Sequence, residues 1–444
     1  MKFHEKIILM ITSIVICAVT CITMIVFILT KPSFKLGKVS VDTYWIIALM
    51  GAIALLVSGQ VDVKAIGEAM IADSAVNPLK ILVLFVSMTI LSIYLDELGF
   101  FSYLANFTLK KAKASQFKLF LYLYLIVSVL TIFTSNDVII LSFTPFICYF
   151  AKNAKIDPIP YLAGEFVSAN TWSMALIIGN PTNIYLATAN GIDFLGYLKV
   201  MILPTIVAGL VAFGMLLLIF GKKLKGKIEG EPETVVIKDK VNLIIGIVHL
   251  ALCTLILAIG SYIKIEMWMV SLGAVASLFL CVEISSLIRH QRPSELIKSL
   301  SRAPWQLIPF VLSMFVLIIG LAQNGVTEKL ARLFGSGKAN VFVYGLSSFV
   351  MANVINNIPM SVLYSSIIGF AEQSALTSGT YASIIGSNIG AFLTPIGALA
   401  GIMWTSILKK HKLKFGYANF LFIGVTVAVP TILASLLTLW LILL

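Results

Sequence analysis

Thr134-Ser135-Asn136-Asp137 lies between two apolar runs, Phe117 to Phe133 and Val138 to Phe150, that are almost free of charge. A carboxylate and an amide therefore sit where the centre of a bilayer would be. An ionisable group at that depth costs about 2.5–3.5 kcal/mol even on the lenient insertion scales, and it usually persists because it handles an ion or a solute. The whole segment, 117–151, is too long for one span and is interrupted by polar residues at its middle. It reads as a re-entrant hairpin with Ser135-Asn136-Asp137 at its tip. Non-helical backbone at that depth is tolerated only against protein or a water-filled cavity.

The rest of the chain supports a membrane setting. It is 59% hydrophobic and 12% charged, with mean hydropathy +1.01; soluble domains run near 25% charged. About ten stretches can cross roughly 30 Å of hydrocarbon: 7–30, 41–58, 79–98, 158–192, 196–221, 241–262, 267–288, 303–323, 376–407 and 416–444. The first lacks a small-residue cleavage pattern and is longer than a signal-peptide apolar core, so it reads as a retained span. A second segment, 339–370, is again too long for one span and is broken at its middle, giving a second hairpin. The five cysteines lie in apolar segments without CxxC spacing and read as small buried hydrophobes. A net charge of +12 follows from loop lysines and arginines rather than from nucleic-acid binding.

Six segments (31–40, 99–118, 152–155, 222–240, 289–302 and 409–414) hold most of the 32 basic residues. Placing all six in the cytoplasm satisfies the positive-inside rule, provided that both hairpins return to the side they enter from. The N-terminus then lies outside despite Lys2 and Lys6, and the multi-pass protein is expected in the plasma (inner) membrane. Asp96 and Glu97 fall near a cytoplasmic span end, facing water or the basic loop.

The chain also repeats. Leu95, Gly99, Leu104 and Ala105 match Leu321, Gly325, Leu330 and Ala331 at one constant offset, and the order of elements recurs: three spans, a hairpin, a broken span, a span. Residues 1–221 and 241–444 thus read as two inverted repeats, a common plan of secondary transporters. The cytoplasmic linker 222–240 joins them. It is too short for an ATPase domain, and no GxxxxGK[ST] occurs on this chain.

Four breaks carry the candidate chemistry: the tip Ser135-Asn136-Asp137; Gly179-Asn180-Pro181-Thr182-Asn183 inside 158–192; the tip Asn353 to Pro359; and Gly386-Ser387-Asn388 with Thr394-Pro395-Ile396-Gly397 inside 376–407. Glycine and proline unwind helices there. Half-helix N-termini favour anionic groups, and freed carbonyls with amide and hydroxyl oxygens favour Na⁺ or proton carriers. An amide in a membrane helix often only ties helices together, but four breaks in matching places point to one polar chamber.

Within it, Asp137 is the expected proton carrier or cation ligand, with Ser135, Asn136 and Glu165 as further ion-coupling candidates. Asp137 at a helix start could also simply answer the helix dipole. Asn180, Thr182, Asn183, Asn356, Asn357, Ser387, Asn388 and Thr394 are the expected solute ligands, and Ser135, Asn136, Asn180 and Asn388 the sodium ligands if sodium couples. No resident cofactor is expected beyond a coupling Na⁺ or H⁺. None of the breaks contains Lys or Arg, so a strongly anionic solute would rely on helix N-termini or a co-bound cation. His249 and the tryptophans Trp45, Trp172, Trp268, Trp305 and Trp404 read as span packing or interface belts. Without GxSxG or HExxH, and with dispersed histidines, an enzyme is the weakest reading.

These residues resemble the ion transporter superfamily, which includes arsenite efflux permeases, NhaD-type sodium/proton antiporters, the P-protein group and sodium-coupled dicarboxylate carriers. Leu95 to Phe101, Asn136-Asp137 with Thr144-Pro145, Asn356 to Met360, Ile385 to Gly390 and Thr394 to Ala400 before Trp404 are similar to arsenite permeases. Gly179 to Asn183 is closer to the antiporter and dicarboxylate branches. The resemblance implies an ion-coupled, alternating-access carrier assembled as a homodimer. Its leading reading is a proton-coupled permease for a small oxyacid such as arsenite. A sodium-coupled carrier, either a Na⁺/H⁺ antiporter or a dicarboxylate symporter, is the alternative, and a passive channel is a remote one.

Overall fold

A computed structural model describes residues 3–31, 33–37, 39–72, 77–112, 115–228, 237, 239–259, 264–335, 337, 340–413 and 415–444. Lys2 and, of the linker 222–240, residues 229–236 and 238 lie outside them. The described chain is an all-α polytopic membrane protein, with one small antiparallel hairpin of β1 (Ser33–Leu36) and β2 (Val39–Asp42), paired Ser33 to Asp42 and Leu36 to Val39.

The first half contains α1 (Phe3–Thr30), α2 (Thr43–Val57), α3 (Val63–Ile71), α4 (Pro78–Glu97), α5 (Phe100–Lys111), α6 (Gln116–Phe133), α7 (Asn136–Asn153), α8 (Ile159–Trp172), α9 (Pro181–Ala189) and α10 (Phe194–Phe220). The second half contains α11 (Lys240–Ile259), α12 (Met267–Ile288), α13 (Ser294–Arg302), α14 (Leu307–Gln323), α15 (Val326–Phe334), α16 (Asn340–Ile355), α17 (Asn357–Gly369), α18 (Gln373–Gly390), α19 (Leu399–Lys410) and α20 (Tyr417–Ile442). Among the described residues, eight helices are long and apolar enough to cross a membrane, and α2 and α16 are shorter apolar helices.

The segments read from sequence as loops contain short helices. α5 lies in 99–118 and α13 in 289–302. Gly99 (φ 84) and Gly325 (φ 76) each precede a short helix, α5 and α15, in left-handed backbone that glycine adopts without steric cost. The matched glycines therefore mark the same turn in both halves. Asp96 and Glu97, at the end of α4, ion-pair with Arg302 of α13, the Asp96 contact at 2.8 Å. They meet the basic segment rather than the core.

Both broken helices depart from the expected positions. In 158–192 the regular helix ends at Trp172, and two 3-10 turns, Ser173–Ala175 and Ile177–Gly179, precede α9. The break thus begins before Gly179, and Pro181 is the first residue of α9, where its missing N–H costs nothing. In 376–407, α18 runs unbroken through Gly386-Ser387-Asn388, and only the segment from Ala391 to Ala398 leaves the helix. Gly386 serves packing instead: a Cβ there would collide with Ser348 Oγ and the Gly345 carbonyl of α16. Small residues let membrane helices approach this closely. Gly386→Ala should destabilise the protein by about 1–3 kcal/mol through overpacking, seen as a lowered thermal midpoint in detergent.

The same device sets other contacts. Gly209 of α10 faces the Trp172 ring of α8, and Gly345 faces Leu436 of α20. α10 packs on α20, α16 on α18 and α6 on α8, which brings the broken helices and hairpins together at the centre.

Candidate functional site

The first tip is left open by its own residues. Thr134 ends α6 in extended backbone, its Oγ1 donating to the Leu130 carbonyl at 2.8 Å. Ser135 occupies the N-cap of α7, yet its hydroxyl caps nothing, although serine there ordinarily accepts from the first turn. Ser135 Oγ and Asn136 Oδ1 are buried without a hydrogen-bond partner. Asn136 Nδ2 donates to Asn170 Oδ1 of α8 at 3.0 Å, so the tip is tethered to the first broken helix.

From Asn170 the polar chain continues across the molecule. Ser173 Oγ lies 2.9 Å from the Asn170 carbonyl and 2.8 Å from Asn388 Oδ1 of α18. Asn180 Nδ2 donates to the same Asn388 Oδ1 at 3.1 Å. Asn388 Nδ2 donates to Asn183 Oδ1 at 2.6 Å and to the Ile384 carbonyl at 2.8 Å. Asn180 Oδ1 caps α9, accepting from the Thr182 N–H at 3.1 Å and its hydroxyl at 3.0 Å. Asn183 Nδ2 satisfies the Ser173 and Leu176 carbonyls freed by unwinding, at 2.8 and 3.2 Å. Asn388 thus joins the two broken helices with every hydrogen-bonding position occupied.

The second tip is closed where the first is open. Asn356 takes φ 73, an uncommon value for a non-glycine residue. Its Nδ2 donates to the Ile396 carbonyl at 3.1 Å, and its Oδ1 accepts from the Ile358 N–H. The Asn357 N–H donates to the Gly397 carbonyl at 3.0 Å. Asn353 Oδ1 accepts from Thr394 Oγ1 at 2.6 Å, and its amide donates to the Gly390 carbonyl at 3.0 Å. The non-helical segment after α18 is thereby clamped to the hairpin of α16 and α17.

The two candidate acids occupy different surroundings. Asp137 lines a cavity of about 550 Å³ that also touches Asp42, Trp45, Arg302 and Leu399. Among the described residues its carboxyl has no hydrogen-bond or ion-pair partner. Glu165 of α8 is buried, and its carboxyl accepts from Thr144 Oγ1 of α7 at 2.9 Å and from Trp404 Nε1 of α19 at 3.3 Å. Among the described residues no cation pairs with it. Trp404 itself is enclosed by Phe166, Phe415 and Phe420, so it is a buried donor as well as packing.

The structure thus gathers Asn136, Asn180, Thr182, Asn183 and Asn388 into one network, and Asn356, Asn357 and Thr394 into an adjoining one. Ser387 Oγ is buried beside Asn388 without a partner. Sequence reasoning missed Asn170 and Ser173 as connectors and Thr144 and Trp404 as donors to Glu165; Asn353 lies in the tip it marked, without being named a ligand. The run Ser168 to Ser173, polar at four of six positions inside an apolar span, was the available signal.

The chain is similar to known membrane transporters along most of its length. The chain is 28% identical over 420 residues to a putative arsenical pump membrane protein of Bacillus subtilis, covering 88% of this chain and 92% of that protein. It is 26% identical over 412 residues to an arsenical pump membrane protein of Escherichia coli, covering 88% and 91%. The solved YdaH transporter of Alcanivorax borkumensis has a similar fold, with TM-score 0.51 and 14% identity over 98% of this chain and 97% of that one. A family model described as Citrate transporter matches residues 24–384, and the chain is therefore a membrane transporter belonging to the citrate transporter family.

Proposed function

We propose that the protein is an ion-coupled secondary carrier working by alternating access, with a proton as coupling ion and a small oxyacid such as arsenite as solute. The observation that carries this reading is the pairing of a cavity-facing, unpartnered carboxyl at Asp137 with an adjoining network built from neutral amides and hydroxyls. A neutral hydroxide both donates and accepts hydrogen bonds, and the unpartnered groups suit it: the amide oxygen Asn136 Oδ1 accepts, and the hydroxyls of Ser135, Thr171 and Ser387 can do either. The arsenical relatives support the same solute class. Asp137 carries the proton, with Glu165 as a second ion-coupling acid. Ser135, Asn136 and Ser387, with Asn180, Thr182, Asn183, Asn356, Asn357, Asn388 and Thr394 around them, form the solute chamber. The two halves act as inverted repeats, and the hairpins move against a dimeric scaffold in the plasma membrane, with the linker 222–240 cytoplasmic. On the positive-inside assignment, the cavity reaches Asp137 from the cytoplasmic side, which is an inward-open state.

The same unpartnered oxygens also suit a cation, and the family description names citrate. A sodium-coupled carrier of an organic anion is therefore the second reading. Among the described residues a bare tricarboxylate finds no free cation in the central network; the cavity's Arg302 is engaged by Asp96 and Glu97. Flux assays in proteoliposomes with separate pH and sodium gradients distinguish the two. Arsenite movement driven by a pH gradient without sodium is the expected result; citrate or dicarboxylate movement that requires sodium overturns it. Glu165→Gln keeps an acceptor for Thr144 and Trp404, so it should preserve thermal stability within about 1 kcal/mol while altering the pH profile of flux.

A further inference from the structure

A second cavity, of about 510 Å³, lies away from the amide network, between the end of α7 and the end of α19. Its lining includes Cys148, Lys152, Lys155, Lys410, His411 and Lys412, and no carboxylate. Elsewhere, basic residues at helix ends find acids: Lys80 with Glu266, Lys223 with Asp157, Arg289 with Asp239 and Arg302 with Asp96. The four lysines and the histidine here make no ion pair among the described residues.

Two of them also occupy costly backbone. α7 and α19 end in the same turn. After α7, the Lys155 N–H bonds the Lys152 carbonyl and the Ile156 N–H bonds the Ala151 carbonyl. After α19, the Lys412 N–H bonds the Lys409 carbonyl and the Leu413 N–H bonds the Leu408 carbonyl. This is the Schellman turn, whose left-handed residue is usually glycine. Here it is Lys155 (φ 54) in one turn and Lys412 (φ 59) in the other. Helix dipoles and membrane orientation account for basic residues at these helix ends. Left-handed Lys264 and His290 occur outside the cavity as well, so the backbone alone singles out nothing; what dipoles and orientation do not account for is the convergence of both turns on one hollow whose lining holds no acid.

We infer that this cavity binds a phosphate-bearing anion, which bridges the end of α7 to the end of α19. Converging ammonium groups focus a positive potential in a cleft, and basic pockets between membrane helices suit phosphorylated headgroups. The anion would come from an anionic phospholipid or from soluble phosphate. Because α7 carries Asp137 and Thr144, and α19 carries Trp404, such a bridge would regulate the elements around both candidate acids. The inference does not depend on which solute is carried.

The test uses full-length protein in nanodiscs of phosphatidylcholine alone, of phosphatidylcholine with phosphatidylglycerol, or of phosphatidylcholine with added inorganic pyrophosphate. The variant is Lys155→Gly with Lys412→Gly, which relieves both left-handed positions and so should fold at least as well as the parent. The control is Lys222→Gln with Lys225→Gln, an equal loss of charge outside the cavity. The wild type and the control should show a raised thermal midpoint with the anion, and the variant should lose most of that rise. A rise with phosphatidylglycerol alone identifies a lipid headgroup, and a rise with pyrophosphate identifies a soluble phosphate. No rise in the wild type, an undiminished rise in the variant, or an equal loss in the control overturns the proposal.

Discussion

Asp137→Asn should abolish proton-driven accumulation while leaving the protein folded. Asparagine matches the carboxyl in size and cannot carry a proton. Because Asp137 has no internal hydrogen bond or ion pair among the described residues, the exchange removes no described contact. A gradient of one pH unit is worth about 1.4 kcal/mol per proton, or about a tenfold concentration ratio. Wild-type proteoliposomes should therefore approach roughly tenfold accumulation per pH unit for one coupled proton, and the variant should equilibrate with no gradient-dependent excess. Its thermal midpoint in detergent should stay close to that of the wild type. Undiminished proton coupling in Asp137→Asn would move the role to Glu165, whose Gln variant provides the comparison.

Asn388→Ala should be the most destabilising single change in the polar centre. Asn388 accepts from Ser173 and Asn180 and donates to Asn183 and to its own helix. Truncation leaves Asn180 Nδ2 and Asn183 Oδ1 buried without these bonds, each at about 1–3 kcal/mol, while Ser173 keeps the Asn170 carbonyl. They share one network, so the costs are not additive, but a loss of at least about 3 kcal/mol is expected. The thermal midpoint of purified protein measures it directly. Solute flux should fall with it, since Asn388 holds α18 to the 3-10 turns and α9. A double-mutant cycle with Asn180→Ala should show coupling, because the first truncation already removes the bond that the second would break. Independent, additive effects would mean that the two broken helices are held together by packing alone.

The physical character of the site explains why some of it was legible in the sequence. Asp137 stood out because an ionisable group between apolar runs is costly wherever the helices later pack. Gly99 and Gly325 stood out because the same turn needs left-handed backbone twice. Asn356, Asn357 and Thr394 stood out for a similar reason: polar residues beside proline or glycine in an apolar segment have few other uses.

Other features depended on what lies across the interface. Gly386 looked like a helix break, yet α18 passes straight through it, because the glycine makes room for Ser348 and Gly345 of α16. Trp404 looked like packing or a belt residue, and only the approach of α8 to α19 makes it a donor to Glu165.

The sequence by itself determined the solvent and the setting: apolar runs of about 20 residues span a bilayer as helices, because hydrocarbon forces the backbone to bond within itself and the strands of a barrel are only about half as long. It also singled out the costly groups, since burial penalties depend on residue type and local context. Tertiary structure decided which of those groups are satisfied and which remain free. Asn388, read as a solute ligand, is fully engaged between the two broken helices, while Ser135 Oγ and Asn136 Oδ1 at the opposite tip are left open. Hydrogen-bond satisfaction depends on distances across residues far apart in the chain, and those distances exist only once the helices have packed.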